Sequence, residues 1–122
     1  MSKISITNDI RSILLADAHI KAMIDTRIFP LFAPKDTKGD FILYKRDEYN
    51  LERTKMGIAR EKCKVYLNIV SDDYDNAQRL AELAYSALEG SHQEYGITVE
   101  LTDSTEDTQD DKYIQILLFS IK

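Results

Sequence analysis

Apolar and polar residues alternate along Cys63–Val70 and again along Ile97–Thr102, a pattern typical of strands that bury one face. Phe41–Tyr44 is a short apolar run, and Tyr113–Ile121 is apolar on both faces over most of its length. A strand of the latter kind belongs in the centre of a sheet or has its outer face covered by another molecule. The sequence therefore predicts main strands near residues 41–48, 58–70, 95–103 and 112–121.

Two other segments carry apolar residues at helical spacing. The first set lies near the N-terminus and consists of Ile6, Ile10, Ile13, Leu14, Ile20, Met23 and Ile24. Asp17 interrupts this stripe and can cap a second short turn. We expect a helix over about Thr7–Ile24, then a short extended piece, Arg27–Pro30, which its proline restricts to a sheet edge.

The second helix is predicted over about Asp73–Glu89. Its buried stripe consists of Ala77, Leu80, Ala81, Ala84 and Leu88. Carboxylates at the start of this segment complement the helix dipole, and Gly90 is suited to end the helix. The resulting order is helix, three strands, helix and two strands. It predicts a single domain over residues 1–122 with an α+β fold, in which two helices pack on one face of an antiparallel sheet.

A highly charged segment, Lys45–Lys62, separates the first two main strands and contains six basic and four acidic residues. Strands that continue into such a segment predict a long protruding β-hairpin, and we call residues 45–62 the arm. Because its charges nearly cancel, the arm suits complementary charges on a neighbouring copy or partner, whereas a solvated loop is the alternative. The candidate interface residues are Arg46, Glu48, Tyr49, Leu51, Arg53, Lys55, Met56 and Arg60.

Composition and motifs narrow the class of function. A net charge of −5 argues against broad affinity for nucleic acid. Cys63, the single cysteine, belongs to the alternating apolar series with Val65, Leu67 and Ile69, which favours a buried structural thiol over a nucleophile. His19 and His92 lie in polar sequence without a second ligand at metal-binding spacing, as expected of surface histidines. The chain also lacks the common nucleotide-binding and hydrolase motifs. We therefore expect that the protein is not an enzyme and binds no cofactor.

No apolar stretch of the sequence approaches the length that spans a membrane, and the N-terminus lacks the apolar core of a signal peptide. We therefore expect synthesis in the cytoplasm and no membrane partner.

Five carboxylates lie between the last two predicted strands without an intervening Lys or Arg: Asp103, Glu106, Asp107, Asp110 and Asp111. The spacing of Asp103, Thr105 and Asp107 resembles the start of a calcium loop. However, Thr108 stands where such a loop needs glycine, and Ile114 stands where it needs glutamate. We expect no metal site here and predict an exposed, solvated turn of the last hairpin.

The order of the N-terminal elements is distinctive. The helix Asp9–Ala18 and the segment Ile20–Ile24 precede the tetrapeptide Arg27-Ile-Phe-Pro30. A proline-bearing loop then leads to Phe41–Tyr44, a strand that ends in tyrosine.

The C-terminal half continues this series. A strand leads to the pair Asp73-Tyr74 that opens the second helix, and the last strand begins on an aromatic residue, Tyr113. In order and spacing these elements resemble the tail completion family of tailed phages and prophages. The chain departs from that family at Gly39-Asp40, where a proline often precedes the first strand.

The resemblance implies structural work and no catalysis. Proteins of this family, similar to tail terminators and tail-to-head joining proteins, form a ring, usually of six subunits, at the head-proximal end of the tail. The ring stops growth of the tube and docks the tail to the head. The implied partners are further copies of the chain, the tail tube protein and the head-connector protein, while DNA passes without specific binding. The implied location is the virion tail, after synthesis in the cytoplasm of the bacterial host.

Within such a ring, the acidic turn is expected on the lumen side or at the rim, because an acidic wall repels phosphate at short range. The alternative function is a monomeric small-ligand or regulatory module built on a similar helix-backed sheet. The oligomeric state separates the two hypotheses.

Overall fold

The computed structural model describes residues 3–122, apart from the side chain of Ala59, and confirms the α+β class. Three helices and six strands follow one another along the chain. They are α1 (Ile6–Leu15), α2 (Ala18–Ile24), β1 (Ile28–Pro30), β2 (Phe41–Thr54), β3 (Gly57–Ser71), α3 (Tyr74–Leu88), β4 (Gly90–His92), β5 (Ile97–Gln109) and β6 (Lys112–Ile121).

The strands form one sheet in the order β1-β2-β3-β6-β5-β4. As the apolar pattern of β6 predicted, this strand lies in the interior of the sheet, between β3 and β5. All neighbouring pairs are antiparallel except β1 and β2, which run parallel, so the sheet is mixed at one edge. The parallel pair arises because the loop over residues 31–40 carries the chain back before β2 begins. Pro30 is tolerated at this edge because it has no amide hydrogen to give to a further strand.

The side chain of Arg27 ties this loop to α2. Its Nε donates a hydrogen bond to the Asp40 carbonyl at 2.8 Å, and its Nη2 donates to the Met23 carbonyl at 3.3 Å. Gly39 has φ +84°, and a Cβ at this position would lie 3.1 Å from the Arg27 guanidinium. Proline cannot occupy such a position, since its ring fixes φ near about −65°. The presence of glycine at position 39 therefore has a local physical cause.

The N-terminal helix expected over Thr7–Ile24 is two helices. Leu15 ends α1, and Asp17 caps α2 by accepting hydrogen bonds from the amides of His19 at 2.9 Å and Ile20 at 3.0 Å. The side chain that interrupts the apolar stripe thus satisfies free amides at the start of a new helix.

The core lies between the three helices and one face of the sheet. Alternate residues of the two central strands point into it: Cys63, Val65, Leu67 and Ile69 from β3, and Leu117, Phe119 and Ile121 from β6. From α3 come Leu80, Ala81, Ala84 and Leu88, whose two alanines allow the helix to approach the sheet closely. The opposite face of the sheet has no covering layer within residues 3–122.

The hairpin predicted over residues 45–62 is present, and its first strand, like β5, extends further than the predicted strand bounds. The arm hairpin is paired as far as Thr54 and Gly57, and β5 continues to Gln109. Register shifts interrupt the arm between Arg46 and Glu48 and between Glu52 and Arg53, which marks two β-bulges.

The acidic segment was predicted to be a turn, and for most of its length this was wrong. Asp103, Glu106 and Asp107 lie within β5, paired with β6. Only Asp110 and Asp111 form the turn, with φ of 52° and 63°. Two consecutive positive φ angles are typical of the type I′ turn that joins tightly paired strands.

Neighbouring leucines of β6 provide a test of this architecture. Leu117 is 4% exposed and faces the helices, whereas Leu118 is half-buried on the uncovered face. We expect Leu117→Ala to lower the free energy of unfolding by about 3 kcal/mol, because it leaves a cavity in the core. Leu118→Ala, the matched control, should cost about 1 kcal/mol. Urea denaturation of both variants measures the difference, and equal losses would contradict the assignment of the two faces.

Candidate functional site

Within residues 3–122, no cluster of His, Cys, Asp and Glu side chains is arranged to hold a metal ion. Cys63 is 1% exposed, and burial raises the pKa of its thiol, which keeps it protonated and unreactive. His19 is exposed on α2, and the Nε2 atom of the half-buried His92 lies 2.7 Å from the Leu88 carbonyl oxygen. Over the same residues, the structure contains no helix both long and apolar enough to cross a bilayer. The features that stand out are surfaces suited to association.

The arm is one of these surfaces. Strand β3 pairs with β6 only from Cys63 onward, so the hairpin formed by residues 50–62 projects past the end of β6. At about 3.3 Å per residue, residues 57–62 extend roughly 20 Å beyond the body of the sheet.

The root of the arm is fixed to the N-terminal segment. Lys3 Nζ lies 2.5 Å from a Glu61 carboxylate oxygen, and the Tyr49 hydroxyl donates to the other oxygen at 3.2 Å. The hydrogen bond from Lys3 is the main cause that lowers the pKa of Glu61. Arg46 also donates a hydrogen bond to the Ile4 carbonyl. These contacts restrict the direction in which the arm leaves the body.

The tip of the arm exposes apolar and basic side chains. Met56 is 97% exposed and Ile58 is 51% exposed. Arg60 lies 3.8 Å from Glu52, whereas Arg53 and Lys55 have no carboxylate within 4 Å among the described residues. Five of the eight predicted interface residues are exposed, and the other three, Glu48, Tyr49 and Leu51, are half-buried nearer the root.

The uncovered face of the sheet is a second surface. Half-buried apolar residues from the central strands lie on it, namely Tyr66, Ile114, Ile116 and Leu118. A shallow groove of about 450 Å³ crosses it between Lys45 and Asp103. This is the outer face that the two-sided apolar pattern of β6 indicated.

The acidic carboxylates of β5 border an unpaired strand edge. Strand β4 covers only Ile97–Val99, and the outer edge beyond this point has no strand partner within residues 3–122. Asp103 accepts a hydrogen bond from the Ser104 amide at 2.9 Å, and Asp107 accepts one from the Thr108 amide at 2.8 Å. These bonds occupy amides that an added strand would use, so the carboxylates protect the edge from indiscriminate pairing.

Glu106 belongs to the other side of the same strand. It pairs with Gln115, whose amide nitrogen lies 2.5 Å from a Glu106 oxygen. Hydrogen bonds from the Tyr74 hydroxyl and then from Gln115 lower the pKa of Glu106. The five acids therefore do not form one cluster, since Asp103 and Asp107 border the uncovered face while Glu106 lies toward α3.

A groove of about 620 Å³ separates α3 from β5 and β6. Its apolar lining consists of Ala81, Tyr85, Leu101 and Leu117. On the α3 side its rim carries Asp75, Arg79 and Glu82. Sequence reasoning missed this groove, because its walls come from segments far apart in the chain.

Charge divides the molecule into two halves. Residues 72–111, which form α3, β4 and β5, contain twelve Asp or Glu residues and one Arg. Residues 3–71, which include β1, β2 and β3, contain thirteen Lys or Arg and nine Asp or Glu residues. The corresponding net charges are −11 and +4. The sheet order places β4 and β5 on the opposite side from β1, β2 and β3, so the sheet has an acidic flank and a basic flank, and α3 packs across the central strands.

No protein-family model matches the chain, and no curated protein matches its sequence. Among solved structures, a chain from the virion of a native gene transfer agent (GTA) particle has a similar fold. The TM-score is 0.71, the sequence identity is 16%, and the match covers 92% of this chain and 89% of that chain.

The protective role of the β5 carboxylates can be tested by removing their oxygen atoms. We expect the double variant Asp103→Ala and Asp107→Ala to aggregate faster than the parent, because the Ser104 and Thr108 amides become available to another strand. Light scattering below the unfolding temperature measures this effect. The control pair Asp103→Asn and Asp107→Asn keeps the acceptor atoms and should behave like the parent. If both pairs aggregated alike, charge and not amide capping would be responsible.

Proposed function

We propose that this protein is a structural component of a phage-type virion that forms a ring at the head-proximal end of the tail. There it would terminate growth of the tube and join the tail to the head. The observation that carries the proposal is the similarity of fold, over nearly the full length of both chains, to a chain of a GTA virion. The motifs from Asp9 to Tyr113 that resemble the tail completion family support the more specific role.

The surfaces of the protein suit a ring subunit. A ring needs two different patches on each copy, one to meet each neighbour. The arm and the opposite flank of the sheet are such patches, and they lie on different sides of the same sheet. The proposed partners are other copies of the chain, the tail tube protein and the head-connector protein. We assign no catalytic role and place the protein in the virion tail after synthesis in the host cytoplasm.

A monomeric ligand-binding module receives less support from the structure. Ligand sites are usually enclosed and carry a few buried, converging polar groups. Here the grooves are open, and among the described residues only two polar side chains, Ser71 and Gln115, are buried.

The proposed ring surrounds a channel through which DNA passes. We place the end of the β5–β6 hairpin, with Asp103, Asp107, Asp110 and Asp111, at the lumen or its rim, and Glu106 close behind it. Carboxylates there would repel phosphate and let DNA slide without binding.

Shortening the arm tests its role in assembly. Asn50 and Lys62 are paired, so replacing residues 51–61 by Asn-Gly closes a shorter hairpin in the same register. We expect the variant to fold, with a melting temperature slightly lowered by loss of the Glu61 contacts to Lys3 and Tyr49, but to give particles with tails of uncontrolled length or tails without heads. Electron microscopy of particles complemented with the variant measures this. Lys35→Ala with Lys38→Ala, in the loop before β2, is the control, and normal tails with the short arm would overturn the assigned role.

Neutralising the acidic hairpin tests the lumen assignment. The variant changes Asp103, Asp107, Asp110 and Asp111 to Asn and Glu106 to Gln, and both Asn and Asp accept the positive φ of the turn. We expect normal particles that eject DNA more slowly, because the channel wall no longer repels phosphate. A control with the same change of net charge elsewhere replaces Asp9, Asp25, Asp36, Asp40 and Glu94 by amides. Ejection at the parent rate from the hairpin variant would remove this segment from the lumen.

A further inference from the structure

We infer that the arm of one copy docks in the groove between α3 and β5 of the next copy. The inference rests on the proposed function in one respect, namely that the occupant of the groove is a second copy of this chain. It adds the identity of the two contacting surfaces and makes the contact head-to-tail.

The groove offers an apolar lining beside an unpaired strand. Ala81 and Leu117 are buried, Leu101 is half-buried and Tyr85 is exposed, so an apolar side chain entering the groove would lose contact with water. Ser104 lies on the β5 wall, where the strand has no outer neighbour within the described residues.

The tip of the arm has the matching chemistry. Met56 is almost fully exposed and flexible enough to fill an irregular apolar groove, and Ile58 lies beside it in the hairpin. Arg53 and Lys55 flank these residues and, as described above, have no carboxylate within 4 Å among the described residues. The rim of the groove presents two acidic residues, Asp75 and Glu82, and one basic residue, Arg79.

Charge identifies the occupant as a second copy. The flank that contains the groove, residues 72–111, has a net charge of −11, whereas the flank that contains the arm has a net charge of +4. A head-to-tail arrangement, in which the arm of one copy reaches the groove of the next, brings these oppositely charged regions together. Oppositely charged surfaces steer such an encounter and select against the reversed arrangement.

The positions of the arm and the groove allow the same contact to repeat from copy to copy. The arm leaves the β2–β3 side of the sheet, and the groove lies on the β6–β5 side, so a copy that gives its arm to one neighbour can receive an arm from the other. A contact of this heterologous kind closes into a ring or grows into a filament, according to its angle.

Cysteine cross-linking tests the contact in the full-length protein. Met56→Cys is combined with Gln78→Cys, an exposed position that lines the groove. On oxidation of the concentrated protein we expect a ladder of covalent oligomers, with the 56–78 disulfide identified by mass spectrometry. Each single variant is one control and shows whether the new cysteine forms a bond with Cys63. The second control is the pair Met56→Cys with Gln93→Cys, in which the second cysteine lines a different groove. No 56–78 bond, or a ladder equally strong in the Gln93 control, would overturn the inference.

Charge reversal shows whether the bond depends on the proposed complementarity. In the cysteine pair, Arg53→Glu with Lys55→Glu should slow formation of the 56–78 disulfide by about tenfold, and Asp75→Lys with Glu82→Lys should do the same. A chain that carries both reversals should recover the parent rate. If the chain with both reversals formed the disulfide as slowly as either reversal alone, the proposed contact would be contradicted.

The two proposals fail in different ways. If no 56–78 bond forms although tail length still depends on the protein, another interface builds the ring and the docking inference is wrong. If the bond forms but removal of the protein leaves normal tails, the docking is right and the proposed function is wrong.

Discussion

The pairing of β3 with β6 is the constraint on which the rest of the structure depends. Its register runs without interruption from Cys63 opposite Ile121 to Ser71 opposite Tyr113. It sets Leu67 directly opposite Leu117, and α3 packs across both strands. Because side chains alternate between faces, a slip by one residue would expose the core and bury the uncovered face. The two long hairpins extend from this pair in opposite directions, so the same register fixes where the arm and the acidic hairpin lie.

The acidic flank has two physical consequences that act against each other. Like charges in α3 and β5 repel, and this repulsion reduces the stability of the isolated chain. The same carboxylates keep an open strand edge soluble and hold it away from unselective partners. A protein that must remain dispersed until it meets the correct surface benefits from this arrangement.

Much of the fold could be predicted from the sequence, because its main elements have strong periodic patterns. The helix predicted over Asp73–Glu89 is found at Tyr74–Leu88, and β6 lies within the sheet as its two-sided apolar pattern required. Strand β4 was missed because three residues, Gly90–His92, are too few to show a pattern. The extension of β5 was missed for another reason. Asp, Ser and Thr residues suggest a turn when considered alone, but pairing with an apolar neighbour such as β6 overrides that local preference.

The candidate surfaces also differ in how far they could be predicted from the sequence. The arm is continuous in sequence, and it could be predicted because a charged segment separates two apolar strand patterns. The groove joins residues from α3, β5 and β6, and only the fold brings them together. Its one trace in the sequence is the unequal distribution of charge between the two halves of the chain.

The two bulges of the arm carry a further consequence. Each adds one unpaired residue, which bends and twists the strands more strongly than regular pairing does. The first lies opposite Val65 and Lys64 in the body of the sheet, and the second lies in the projecting hairpin. The contacts of Lys3 and Arg46 hold the base of the arm, and the second bulge lies beyond them and sets the angle of the tip. If neighbouring copies meet through the arm as proposed, this angle contributes to the rotation from one copy to the next. Gaining or losing one residue at either bulge would then change the number of subunits that close a ring while leaving the side chains of the contact surfaces intact.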